Sequence, residues 1–270
     1  MKKTLTAIAA AAIAFAGLTG TASAEGEKFV LISHAPDSDS WWNTIKNAIK
    51  IAGDQMDVTV DYRNPSTGDL ADMARIVEQS AEFGALMHVG QPEYDAGFGA
   101  GKRAAAAGAK SFVCVNHYIT NPASVERCRG FADALGVELG SQMIDSGMDP
   151  SEVKNKVAAY LKTHKDVDAI LTLGPNSAHP TLAAVRDAGL AGEIMFGTFD
   201  LSGEIADAIK KGEINFAIDQ QPYLQGYLPV VILTNYARYG VLPSGNINSG
   251  PGFITKDNIA LVEKYAGEFR

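Results

Sequence analysis

Phe196-Gly197-Thr198-Phe199-Asp200 and Phe216-Ala217-Ile218-Asp219-Gln220-Gln221-Pro222 are two apolar runs, each ending in an acceptor-rich turn, with a helix-like stretch between them. Short apolar runs bounded by turn signals read as buried strands, and strands alternating with helices read as a parallel sheet. In an open parallel sheet, small ligands bind in the crevice at the carboxyl ends of the strands. Asp200 and Gln220 stand at two such ends, a carboxylate and an amide that can grip hydroxyl groups. Neither stands beside a nucleophile or a metal cluster, so the pattern points to holding a molecule rather than changing it.

The same alternation extends outward from these runs. Strands are expected at 29–33, 58–62, 86–89, 112–115, 141–144 and 169–173. Helices are expected at 41–54, 68–82, 94–107, 124–135, from Asp149-Pro150 to about 162, from about 178 and 204, and at 223–239. Asp149 offers an N-cap and Pro150 suits the first turn. The chain is therefore α/β, with a mostly parallel, doubly wound sheet in one or two copies. Gly97-Phe98-Gly99-Ala100-Gly101-Lys102 imitates part of a phosphate-binding loop. It has Ala96 where the first glycine belongs and Arg103 where a serine or threonine belongs, and it lies inside a helical stretch. Those glycines are expected to permit close helix packing, not nucleotide binding.

Met1-Lys2-Lys3, an Ala-rich apolar stretch from Leu5 to Gly20 and then Ala22-Ser23-Ala24 make a secretory leader with cleavage expected after Ala24. Cleavage removes two lysines from a chain whose formal charge is already −8. An acidic chain without a basic cluster argues against nucleic acid as a partner. No later stretch is long and apolar enough to span a bilayer. Cys114 and Cys128 are the two cysteines. In an exported protein an even pair favours a disulfide over two buried thiols.

Asp37-Ser38-Asp39-Ser40-Trp41-Trp42-Asn43 lies between the first strand and the first helix. Two adjacent tryptophans face different directions on a helix start, so one can pack inward while the other offers a flat face. Both could be core anchors. Beside Asp39, Asp200 and Gln220, a stacking platform for a sugar ring is the stronger reading, because such rings pair apolar C–H patches with hydroxyl edges. Arg127 and Arg129 are two apart on one helix, so one should turn from solvent, and a guanidinium fork can hold vicinal hydroxyls or a carboxylate. The five histidines show no ligand spacing, so no metal and no cofactor is expected. A hydrolase would need a nucleophile elbow, and Gly-x-Ser-x-Gly does not occur.

From Phe29 to the end, the chain resembles the periplasmic sugar-binding proteins of ATP-driven (ABC) importers, in the ribose-binding-like group. Asp39-Ser40-Trp41-Trp42 stands where that family has a polar residue and paired aromatics. Arg127 before Gly130-Phe131 matches its ligand-binding arginine, Asp200 its strand-end aspartate and Gln220 its hinge-side glutamine; Asn64 and Asn176 fall at polar positions of the same site. The resemblance implies two Rossmann-like lobes joined by a hinge, the type I periplasmic binding protein fold. Residues 25–91 and 221–248 would form the first lobe, and 92–220 and 249–270 the second. It also implies a sugar or polyol gripped between lobes that close, a membrane permease as partner, a monomeric protein and no enzymatic activity. A binder presenting a sugar-like signal for chemotaxis or quorum uptake is the alternative from the same fold.

One departure stands out. Glu82-Phe83-Gly84-Ala85 passes directly to Leu86-Met87-His88-Val89-Gly90, which resembles the family's crossover, so a strand–helix–strand block is missing near residues 83–85 and the first lobe is shortened. A gap of that kind leaves unpaired backbone and exposed apolar surface. A deletion variant with impaired binding is the corresponding alternative.

Overall fold

Buried apolar runs make the larger of two sheet systems in the computed structural model, which describes residues 26–78 and 86–270. Along the chain the elements are β1 (Lys28–Ile32), α1 (Trp42–Met56), β2 (Thr59–Arg63), α2 (Leu70–Glu78), β3 (Val89–Gly90), α3 (Glu93–Ala106), β4 (Phe112–Asn116), α4 (Pro122–Leu135), β5 (Met143–Asp145) and α5 (Pro150–Thr163). They continue with β6 (Ala169–Thr172), α6 (Pro175–Asp187), β7 (Met195–Phe199), α7 (Gly203–Lys211), β8 (Phe216–Asp219), α8 (Pro222–Tyr239), β9 (Ile247–Asn248) and β10 (Gly252–Thr255). The six-stranded sheet runs β10-β8-β7-β6-β4-β5, parallel throughout except for β10, which pairs antiparallel with β8 at the edge.

Burial on both faces explains why these strands read as unbroken apolar runs. Side chains alternate across a strand, so Val113 and Val115 face a core with Val153, Val157, Leu182 and Ile205 of α5, α6 and α7. Phe112 and Cys114 face the other core, with Ala96, Ala100 and Phe131 of α3 and α4. Cys114 and Cys128 are joined by a disulfide that staples β4 to α4. Gly97 and Gly130 allow α3 and α4 to cross closely. A Cβ at Gly97 would overlap the Arg127 carbonyl, and one at Gly130 would overlap that of Tyr94.

The second lobe system is built from short pieces. β1 pairs parallel with β2, and β3 pairs parallel with β9. The two pairs share no ladder among the described residues. Ile45 and Ile49 of α1 pack with Val230 of α8 and with Leu31, Val60 and Tyr62 of the first pair. Gly226 brings α8 onto α1, where a Cβ would crowd Ile45 and Ala48. Val30 on β1 is 36% exposed. The expected break near 83–85 lies outside the described residues.

Several expected elements shift. The strand at 86–89 is ordered as a ladder only at Val89–Gly90, and residues 140–142 form a 3₁₀ turn before β5. α6 begins at Pro175, three residues early, because proline suits a first turn. Asp200 lies past the end of β7 with a left-handed backbone, φ 63°. Among the described residues, no helix is long and apolar enough to cross a membrane, and no group of His, Cys, Asp or Glu is placed to hold a metal ion.

Candidate functional site

Between the two lobes, the carboxyl ends of β1, β4, β6, β7 and β8 converge on a cavity of about 220 Å³. A larger depression, about 710 Å³, opens at the opposite edge of the six-stranded sheet, where the strands begin. Sheet topology favours the smaller one as the site, since parallel strands present their ligand-facing loops at the carboxyl end. Seven of the eight expected residues line it: Asp39, Trp41, Trp42, Arg127, Asn176, Asp200 and Gln220.

Asn64 does not. Its amide donates to the Ala35 carbonyl (2.8 Å) and to Asp37 (3.0 Å), bracing the end of β2 against the loop after β1. It is a structural tie beneath the site, and its position at a strand end did not distinguish that duty from ligand contact.

The large lobe supplies the charged floor. Arg127 is buried, whereas Arg129 on the neighbouring face is solvated, as helical spacing requires. Arg127 Nε and Nη2 donate to Glu93 at 2.6 and 2.9 Å, Nη1 donates to the Leu173 carbonyl at 3.1 Å, and the Phe199 ring lies 4.3 Å beneath the guanidinium. Burial works against this charge, and Glu93 more than offsets it. Gln220 Nε2 donates to both Asp200 oxygens, at 2.9 and 3.0 Å, while its Oε1 accepts from Gln225 at 3.2 Å. Burial pushes the Asp200 carboxyl up to about 7, against the pull of Arg127 and Gln220. Asp200 and Gln221 both adopt positive φ without being glycine, a strained choice that concentrates at functional positions.

The small lobe supplies aromatic walls. Trp41 and Trp42 meet edge to face at 5.1 Å, and His34 sits edge-on to Trp42 while stacking on Tyr118 at 5.1 Å. Both tryptophans are half-buried, pack against the α1–α8 core and also line the cavity. Asp39 accepts from the Trp41 backbone N–H at 3.2 Å, and burial raises its carboxyl, with that N–H and Asn176 acting the other way. Trp41 Nε1 and His117 Nδ1 are buried without a hydrogen-bond partner. The indole N–H is nevertheless near enough to Asp200 to favour its charged form. Burial, then Arg127 and His34, hold the His117 imidazole down to about 4, so it is neutral at ordinary pH.

Buried polar atoms lacking partners are costly and uncommon, and two of them here belong to residues lining the same cavity as the acceptors of Asp39, Asn176, Asp200 and Gln220. The arrangement fits a small, flat, hydroxyl-rich molecule: apolar faces toward tryptophan, edges toward carboxylate and amide. Sequence reasoning missed Glu93, His117, Tyr118 and Gln225. Glu93 had one indirect signal, since a buried arginine needs a counter-charge.

A family model described as the periplasmic binding protein domain matches residues 80–240. The xylose/arabinose-binding protein XylF of Sulfolobus acidocaldarius is 31% identical over 134 residues, covering 46% of this chain and 33% of that protein. The chain thus matches about a third of the length of that curated relative. Among solved structures, a carbohydrate transporter from Acidothermus cellulolyticus in complex with myo-inositol shares 27% identity at a TM-score of 0.80, over 90% of this chain and 98% of that one. GanP, a glucose-galactose binding protein from Geobacillus stearothermophilus, shares the fold at a TM-score of 0.74 and 21% identity, over 87% and 99%. A two-lobed α/β chain with its cavity at the strand ends, matched by that model over more than half its length, belongs to the periplasmic binding protein family.

Proposed function

We propose that this protein captures a sugar or polyol between its two lobes and delivers it to the permease of an ABC importer. The observation that carries this reading is the pairing of the Trp41–Trp42 wall with Asp200 and Gln220 in one cavity, with the buried donor of Trp41 aimed at it. The likeness to a structure holding myo-inositol supports the ligand class. The leader directs export with cleavage after Ala24, and the mature protein acts in the periplasm as a monomer. In this reading residues 25–91 and 221–248 form one lobe, and 92–220 and 249–270 the other. Asp39, Trp41, Trp42, Arg127, Asn176, Asp200 and Gln220 hold the ligand, and no catalytic step is involved.

The test is thermal unfolding of residues 25–270 against a panel of pentoses, hexoses and inositols. A ligand that binds only the native state raises the melting temperature by mass action, about 2.7 kcal/mol at a hundredfold excess over Kd. One ligand class should raise a cooperative transition, and Trp41→Ala should abolish most of that rise while still melting cooperatively. A broad transition unmoved by every compound would favour the shortened lobe as a binding-impaired variant.

A further inference from the structure

Arg127 faces the cavity already committed. Its Nε and one Nη2 hydrogen go to the two oxygens of Glu93, one Nη1 hydrogen goes to the Leu173 carbonyl, and Nη2 also approaches Gln220 Oε1 at 3.5 Å. Of five N–H groups, a single one on Nη1 is left. A carboxylate or phosphate is gripped by two parallel N–H donors, whereas one N–H suits a hydroxyl. The remaining charges in the lining are acidic, Asp39 and Asp200. His34 and His117 are held neutral by burial. Lys46, a cation that favours the charged form of Asp39, lies over the Tyr62 ring outside the lining.

We infer that Glu93 sets the charge selectivity of the cavity: by capping Arg127 it reserves the site for uncharged polyols and turns away sugar acids and sugar phosphates. The inference rests on the sugar-binding reading and adds a determinant to it. Glu93 acts through Arg127, as a positioning and neutralising residue. Above about pH 7, where Asp200 is ionised, an anion in this desolvated site meets like charge at Asp39 and Asp200, so the discrimination is steep and the titrations are run at about pH 8.

Calorimetric titration of wild type and Glu93→Gln with matched pairs tests this: D-glucose with D-glucuronate, D-galactose with D-galacturonate, and myo-inositol with its monophosphate. In wild type the anion of the pair whose neutral member binds should be at least about 100-fold weaker. Added salt should leave that gap unchanged or narrow it slightly, because repulsion between buried charges is only weakly screened. Glu93→Gln frees a guanidinium edge and should narrow it by about tenfold or more through gained anion affinity, which loss of a mere structural prop would not produce. Equal wild-type affinity for both members, an unchanged ratio in Glu93→Gln, or anion binding that weakens with salt overturns the inference while leaving sugar binding intact. Should Glu93→Gln fail to fold, Glu93→Asp, whose shorter carboxylate cannot hold both Nε and Nη2 of Arg127, supplies the same comparison. Binding of neither member in any pair overturns the reading beneath it, and the inference falls with it.

Discussion

Asp200 concentrates the site's physical tension in one residue: a carboxylate, buried, in a left-handed backbone, held by Gln220 beside Arg127. Unfolded, such a group titrates near 3.8; folded, it holds its proton to about 7. Between those values the native state binds more protons than the unfolded chain, so stability falls as pH rises and levels off above about 7. Asp200→Asn keeps the size and tolerates positive φ. Its melting temperature should match wild type near pH 4 and exceed it by a margin growing up to pH 7, at most about 4 kcal/mol. His117 loses stability in the opposite direction, as pH falls from 6.5 toward 4. The difference between variant and wild type cancels that contribution, and a flat difference across pH 4 to 8 would refute the Asp200 assignment. On the proposed reading, in which ligand hydroxyls donate to the charged carboxylate, affinity should also fall as pH drops below about 7, and Asp200→Asn should bind roughly 10- to 100-fold more weakly. Asp200, Gln220, Arg127 and the tryptophans were legible because strand-end and helix-start positions are written in the local pattern. Glu93 was not, because its role exists only through a partner 34 residues away. Asn64 misled for the same reason, its tie to Ala35 and Asp37 being tertiary.

At the scale of elements, the crossing of α3 and α4 positions Arg127, and glycine makes that crossing possible. Gly97→Ala or Gly130→Ala forces a methyl into the facing backbone, which cannot give way like a flexible side chain. Each should cost about 1–3 kcal/mol or more in chemical denaturation. Gly97→Ala, which presses on Arg127 itself, should also lower ligand affinity in the refolded protein; an unaltered midpoint and affinity would mean the helices do not meet there. The Cys114–Cys128 bond closes a loop of sequence separation 14 on the same pair of elements. Reduction should lower stability by about 3 kcal/mol, and unfolding without reductant should expose no reactive thiol. The glycine-rich helix was correctly separable from a phosphate loop by its missing first glycine and its helical frame. β9 and β10 were not legible. β9 is a two-residue ladder in a polar stretch, and β10 is too short to carry a period, its burial coming from the β8 edge and from the cores that Phe253 and Ile254 join.

The two lobes differ in how their sheets are closed, and that difference should govern how the molecule opens. β4, β6, β7 and β8 each pair on both sides within one sheet, between two layers of helices. β1 has β2 as its one ladder partner among the described residues, with Val30 partly open to solvent. Amides deep in a doubly paired strand exchange with solvent only through global unfolding, whereas a thinly paired strand opens locally at lower cost. Native-state hydrogen exchange should therefore find Val113, Leu171 and Thr198 in the slowest class and Phe29 to Leu31 at least about 100-fold faster. Equal protection would show that both lobes unfold as one unit despite the single ladder partner that β1 has among the described residues. Ligand sharpens the test. A molecule bridging Trp41 in one lobe and Asp200 in the other couples the local opening of β1 and α1 to dissociation. Saturating ligand should then slow exchange at Phe29 to Leu31 by up to the factor [L]/Kd, while exchange in β4 and β6, already limited by global unfolding, slows by no more than that factor. Protection gained only in the large lobe would mean that the aromatic wall does not share the ligand.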